Sequence, residues 1–132
     1  MVKLPGSEGL LEPKPSPDGR YLLAEPENQH KILLFDLRTE RWTEIVHGKL
    51  LTNTEWSRDS QYIYFQDLLE PDQPFYRLRR GETQPERLAT FATLLQAGAH
   101  RCGFEALAPD GSPVFRVSLS APEIYALDLD LP

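Results

Sequence analysis

The chain has a single cysteine, Cys102, in 132 residues. A lone thiol permits no intrachain disulfide and no cysteine-built metal site. Its setting, between Arg101 and Gly103 and just before apolar Phe104–Leu107, marks a buried small residue rather than a reactive thiol. Long apolar runs are missing as well, and none approaches the ~20 residues that a membrane-spanning helix needs. Met1–Pro5 lacks the apolar core of a signal peptide. The chain as encoded is therefore expected to be soluble and cytoplasmic, or periplasmic if it is a piece of a larger exported or membrane-anchored protein. Basic residues are outnumbered, 14 against 20 acidic, for a net charge of −6. That balance argues against nucleic acid as a partner, since phosphate binding needs a basic face. The one basic run, Arg77-Leu78-Arg79-Arg80, reads as a solvated strand end.

Signatures of catalysis are also lacking. No serine sits in a nucleophile elbow, because Gly6-Ser7-Glu8-Gly9 has neither the spacing nor the strand-to-helix setting. There is no glycine-rich phosphate loop. His30, His47 and His100 fall at no metal-ligand spacing. The expectation is a protein that is not an enzyme and has no metal or cofactor. Glu25, Glu27, Glu70 and Asp72 lie in or beside predicted loops, where they would form a solvated acidic rim or, more sharply, a cation or basic-peptide site.

What the chain has in quantity is turn chemistry: 12 prolines and 8 glycines set between short apolar runs. One turn recurs. Ser16-Pro17-Asp18-Gly19-Arg20-Tyr21 returns as Ser57-Arg58-Asp59-Ser60-Gln61-Tyr62 and again as Ala108-Pro109-Asp110-Gly111-Ser112-Pro113, with starts 41 and then 51 residues apart. A repeat of about 40–45 residues that codes four short strands is the mark of a β-propeller blade. Asp18, Gly19, Asp59, Asp110 and Gly111 are read as structural turn residues: the aspartates bond nearby backbone, and glycine tolerates positive φ.

Each repeat is read as four strands. The first has Leu10–Lys14, Tyr21–Glu25, Lys31–Leu37 and Arg41–Val46; the second has Leu51–Trp56, Gln61–Asp67, Pro74–Leu78 and Glu86–Thr90. Phe91–Gly103 is an irregular link, a loop or one helical turn. The third has Phe104–Leu107, Pro113–Ser118 and Glu123–Leu129, with no fourth strand after them. Met1–Pro5 stands where a fourth strand would precede the first repeat. The fold class expected is therefore all-β, a propeller unit of three four-stranded blades over residues 1–132, the third completed by residues 2–5.

The Ser-Pro-Asp-Gly-Arg-Tyr turn, with Leu34-Phe35-Asp36-Leu37 and Ile124-Tyr125-Ala126-Leu127-Asp128-Leu129 as third strands, resembles the WD40-like repeat of TolB-type propellers. Trp56-Ser57 matches that family's aromatic before the turn, where the first repeat has Lys14 and Pro15. Leu4–Leu10 looks like the family's linker between blades. The resemblance covers nearly the whole chain and implies the fold; propellers host unrelated functions.

Three blades do not readily close a ring, since propellers usually have about 4–8. Two chains in a C2 dimer would make a six-bladed ring. Strand exchange is expected to close it, with Val2, Lys3, Leu4 and Pro5 of one chain beside Glu123, Ile124, Tyr125, Ala126, Leu127 and Leu129 of the other. The resemblance implies a non-catalytic module for protein or peptide interaction or ligand sensing, whose partners are its own second copy and a protein or peptide. The alternatives are an accessory or catalytic propeller of a hydrolase or peptidase, or a fragment or engineered propeller with no evolved ligand.

Overall fold

The structure is a computed structural model that describes Met1, residues 3–119 and residues 123–127. Three antiparallel meanders follow one another. β1 (Leu10–Pro15), β2 (Tyr21–Pro26), β3 (Lys31–Asp36) and β4 (Arg41–His47) form the first sheet in chain order. β5 (Leu51–Trp56), β6 (Tyr62–Asp67), β7 (Phe75–Arg79) and β8 (Glu86–Ala89) form the second. After a short helix α1 (Ala92–Gln96), β9 (Arg101–Leu107), β10 (Pro113–Ser118) and β11 (Glu123–Ala126) form the third.

The strands fall close to where the repeat put them; in the link the helical alternative holds, and the strand that follows starts early. Residues Ala92–Gln96 take up a helix, and β9 begins at Arg101 rather than at Phe104. Pairing with β10 explains the early start: Cys102 and Arg101 stand opposite Val117 and Ser118. The third strand of the last sheet is described as far as Ala126, and Leu127 N–H still donates to the Pro113 carbonyl at 3.0 Å. Leu129 lies outside the described residues.

The sheets stack face to face. Leu23, Ile32 and Val46 of the first meet Leu51, Trp56, Ile63, Phe65 and Leu78 of the second. The other face of the second, with Tyr64 and Phe75, meets Cys102, Phe104, Phe115 and Val117 of the third, and Phe91 and Ala99 of the link close this core. Side chains alternate across a strand. β6 therefore sends Ile63 and Phe65 to one core and Tyr64 to the other, and all three are buried. A sheet covered on both faces loses the apolar–polar alternation of a half-exposed strand, which is why Tyr62–Phe65 reads as a continuous apolar run.

The connections carry polar locks. The buried carboxylate of Asp67 accepts N–H bonds from Lys49 at 2.8 Å, Leu50 at 3.0 Å and Leu69 at 3.1 Å, holding the β4–β5 crossing onto the second sheet. A Cβ on Gly48 would stand 2.7 Å from both Asp67 Oδ2 and Leu51 Cδ2, so a side chain there would have to displace these two buried groups. β1 and β5 are bulged at one repeat position, where Glu12 and Asn53 each have φ of 50°. Asn53 uses the bend to donate its amide to the Phe104 carbonyl in the third sheet.

Phe75 is fully buried, 4.8 Å from the Phe104 ring and 5.0 Å from that of Phe115. Phe75→Ala is expected to destabilise the fold by about 3–5 kcal/mol, the range for a buried phenylalanine that leaves a cavity, read as a lower urea midpoint.

Candidate functional site

The repeated turns are closed by side-chain-to-backbone bonds. In the first, Ser16 Oγ donates to Asp18 Oδ1 at 2.5 Å and accepts Tyr21 N–H at 3.0 Å, while Arg20 N–H donates to Asp18 Oδ1 at 3.0 Å. The second repeats this set through Ser57, Asp59, Tyr62 and Gln61 at 2.6, 2.9 and 3.0 Å. In the third, Ala108 offers no hydroxyl, and Asp110 keeps the Ser112 N–H bond at 2.9 Å. Gly19, Ser60 and Gly111 take the positive φ of the turn, at 73°, 62° and 90°. The bonds hold all three carboxyls below the usual range. The Ser16 and Ser57 hydroxyls are the main cause at Asp18 and Asp59, and the Ser112 N–H is the main cause at Asp110. Their lone pairs are spent on the turn itself, which leaves them poorly placed for acid–base work.

The proposed acidic rim is not one cluster. Glu25 is buried and accepts the Thr54 hydroxyl at 2.8 Å, and burial raises its pKa. Glu70 accepts Tyr76 Oη–H at 2.8 Å and pairs with Arg87 at 3.3 Å. Among the described residues no group of three or more histidine, cysteine or carboxylate side chains is set to hold a metal. Cys102 is fully buried, and burial pushes its thiol pKa up. The basic run is not simply solvated. Arg77 is 5% exposed, bonded to Glu86 at 2.7 Å and stacked 4.4 Å over Tyr62, and Arg80 reaches back to the first sheet. Only Arg79 of the three arginines is exposed.

The strand-closure residues lie at the two ends of the stack. In the single chain Lys3 and Leu4 are outside any strand, Pro5 begins a turn, and Val2 lies outside the described residues. Lys3 pairs with Glu8 at 2.8 Å, and Trp42 on β4 donates its indole N–H to the Pro5 carbonyl at 2.7 Å. At the other end Glu123, Ile124, Tyr125 and Ala126 form β11, the last described strand of its sheet, with Ile124 76% exposed.

The two junctions between sheets differ, and the sequence reading did not anticipate that. At the first, Trp56 donates its indole N–H to the Lys14 carbonyl at 2.9 Å and packs beside Tyr21. Ser60 Oγ accepts the Asp18 N–H at 3.0 Å across the gap. Arg80 bonds the Ser60 carbonyl at 2.8 Å and lies 4.6 Å over the Tyr21 ring. At the second junction the repeat positions of Trp56 and Ser60 hold Leu107 and Gly111. The smaller residues leave a cleft of about 320 Å³ lined by Tyr62, Tyr64, Arg77, Leu107, Gly111 and the Ser57–Asp59 turn. A second hollow of about 360 Å³ adjoins it through Arg58 and Leu107 and reaches Glu55. The signal was present in the alignment of the repeats, as two truncations at junction positions.

The three stacked meanders are similar to parts of solved propeller structures. TolB from Acinetobacter baumannii superposes with a TM-score of 0.66 at 21% identity, over 92% of this chain and 30% of its own. A second TolB structure, from Agrobacterium tumefaciens, gives 0.65 at 20% identity, over 91% of this chain and 47% of its own. This is a TolB-like propeller fold. The tricorn protease matches as well, with a TM-score of 0.63 at 14% identity over 82% of this chain and 11% of that one. The chain thus spans less than half the length of each of these three structures. No family model and no curated protein sequence matches it. Likeness at these identities carries the fold and not an activity.

The turns and the Trp56 contact at the first junction each give a measurable outcome. Each turn aspartate titrates lower in the fold than in the unfolded chain, so its stabilisation is complete above an unfolded pKa of about 3.9 and fades as pH falls through the folded value. Asp18→Asn, Asp59→Asn and Asp110→Asn combined should flatten the loss of melting temperature between neutral pH and acid, relative to the parent chain. Trp56→Leu, which gives the first junction the residue type of the second, should destabilise by roughly 2–3 kcal/mol in chemical denaturation, through lost packing and an unpaired Lys14 carbonyl.

Proposed function

We propose that the chain is a non-catalytic propeller module for protein or peptide binding that assembles as a homodimer, two three-bladed units closing one six-bladed ring. The observation that carries this reading is the difference between the middle sheet and the end sheets. The second sheet is covered by a neighbouring sheet on both faces, whereas among the described residues no sheet covers the outward face of the third or that of the first, where only the Pro5–Gly6 segment lies against Trp42. On the third sheet that face carries Val114, Ala126 and the 76% exposed Ile124 beside Arg116, which is paired with Glu105. On the first it carries Leu22 and Leu33, both half-buried. Exposed apolar side chains on a sheet face that no other sheet covers favour an interaction surface, and a second copy would match the two faces end for end under a two-fold axis.

The course of the N-terminal segment supports strand exchange. Its anchor is the Trp42–Pro5 bond, and Trp42 is on the outermost strand of the first sheet. Residues 3–5 therefore lie at the periphery, the radius at which a fourth strand beside β11 would lie. Addition of Val2–Pro5 to Glu123–Leu129 of the partner removes an open sheet edge. Support for a binding role over catalysis comes from the site chemistry: the turn aspartates, Glu25 and Glu70 are each committed to structural bonds.

Light scattering on a sizing column decides the assembly. A mass near 30 kDa, twice the 15.1 kDa of one chain, is the expected result. Deleting Met1–Pro5 should then shift it toward the monomer on dilution. A monomer at all concentrations overturns the ring.

A further inference from the structure

The second junction has the parts of the first with its two plugs removed. Tyr62 stands at the repeat position of Tyr21, and Glu55 at that of Lys14. Tyr62 and Tyr64 both project from β6 toward the third sheet. Arg77, held by Glu86, lies over the Tyr62 ring, so the wall is preformed rather than free to collapse. Among the described residues the indole of Trp56, the hydroxyl of Ser60 and the guanidinium of Arg80 have no counterpart here; Leu107 and Gly111 take the places of the first two, and the repeat position of Arg80 lies outside the described residues.

We infer that this cleft binds a tryptophan side chain of a peptide partner, seated where Trp56 seats in the first junction. This deepens the binding reading above and rests on it. The wall supplies what an indole needs: an aromatic face in half-buried Tyr62 backed by the buried edge of Tyr64, an apolar floor in Leu107, and access to Glu55, whose main chain holds the repeat position of the carbonyl that accepts the Trp56 N–H. Aromatic pairs of this sort gain stability beyond their buried area. A rigid aromatic anchor in a preformed pocket is the usual centre of a peptide interface. The occupant is supplied in trans because the chain's own residue at that place, Leu107, is too small to fill it.

The test is titration of the whole chain with N-acetyl-L-tryptophanamide, followed by backbone amide NMR shifts, with N-acetyl-L-leucinamide as control. Saturable shifts at Tyr62, Tyr64 and Gly111 are expected, with affinity roughly tenfold or more above the leucine control. Leu107→Trp should abolish those shifts and raise the melting temperature, because the chain then supplies its own plug. Absence of saturable shifts, shifts confined to other blades, or undiminished binding by Leu107→Trp overturns the inference. Should that variant not fold, the mapping on the parent chain alone decides. A 30 kDa particle without these shifts overturns the cleft site and leaves the dimer standing; a monomer that binds does the reverse.

Discussion

Tyr64 and Phe65 are neighbours in the chain and belong to different cores. That one fact, a middle sheet buried on both faces, is the constraint on which the rest of the molecule depends. A twisted sheet four strands wide has no independent core. It is stable only when each face is covered, and stacking similar sheets is the economical way to cover them. Burial on both sides leaves no solvent face for polar side chains, so β6 carries Tyr-Ile-Tyr-Phe and ends in the buried pair Gln66 and Asp67. Those two are tolerable because each is fully engaged. Gln66 donates to the Cys102 carbonyl at 2.6 Å and the Gln73 carbonyl at 2.8 Å and accepts Phe104 N–H at 2.8 Å. A buried amide with its partners in place contributes specificity; the same amide unpaired costs about 1–3 kcal/mol.

The junctions therefore have two tasks, apolar filling and polar registration. Filling is generic, and any large apolar residue contributes. Registration is specific: Gln66 reads two main-chain positions of β9, and Ser60 reads the Asp18 N–H. Ser60 explains a local oddity. It occupies a positive-φ turn position where the first and third repeats use glycine, a conformation that disfavours side chains. The hydroxyl offsets that strain by tying two sheets together. The first junction thus has side-chain plugs at its turn end, and the second trades them for the Gln66 clamp and the helical link at its opposite end.

Much of the fold was legible because its signals are local. The Asp-Gly turns and the strand lengths follow from backbone chemistry that acts within six residues, as the Ser16–Asp18–Tyr21 bonds do. Features that depend on a neighbouring sheet were not. Arg77 in a run of three arginines looks solvated until Glu86 and Tyr62 are seen to enclose it. Gly48 looks like an ordinary turn glycine until Asp67, 19 residues on, is found against it. The acidic loop residues seem poised to gather on one face, yet Glu25 turns inward to Thr54. The junction cleft lies between these cases. Its cause, leucine and glycine for tryptophan and serine, is written in the repeat, but the meaning of that change is only readable once the Trp56 indole is seen spanning two sheets.

The same reasoning bears on where recognition can reside. A carboxylate that accepts two or three local bonds is stabilised as the anion and has little affinity left for a proton. The three turn aspartates are in that state. Charged side chains elsewhere on the sheets are largely paired, as Arg116 is with Glu105 at 3.0 Å and Arg20 with Asp36 at 3.6 Å. Unspent binding capacity is then mainly apolar and aromatic, and it is concentrated where stacking is incomplete. Those places are the outward faces of the end sheets and the turn end of the second junction. Stacking stabilised the middle sheet by covering it, and by the same physics the uncovered surfaces are the ones with free energy to gain from a partner.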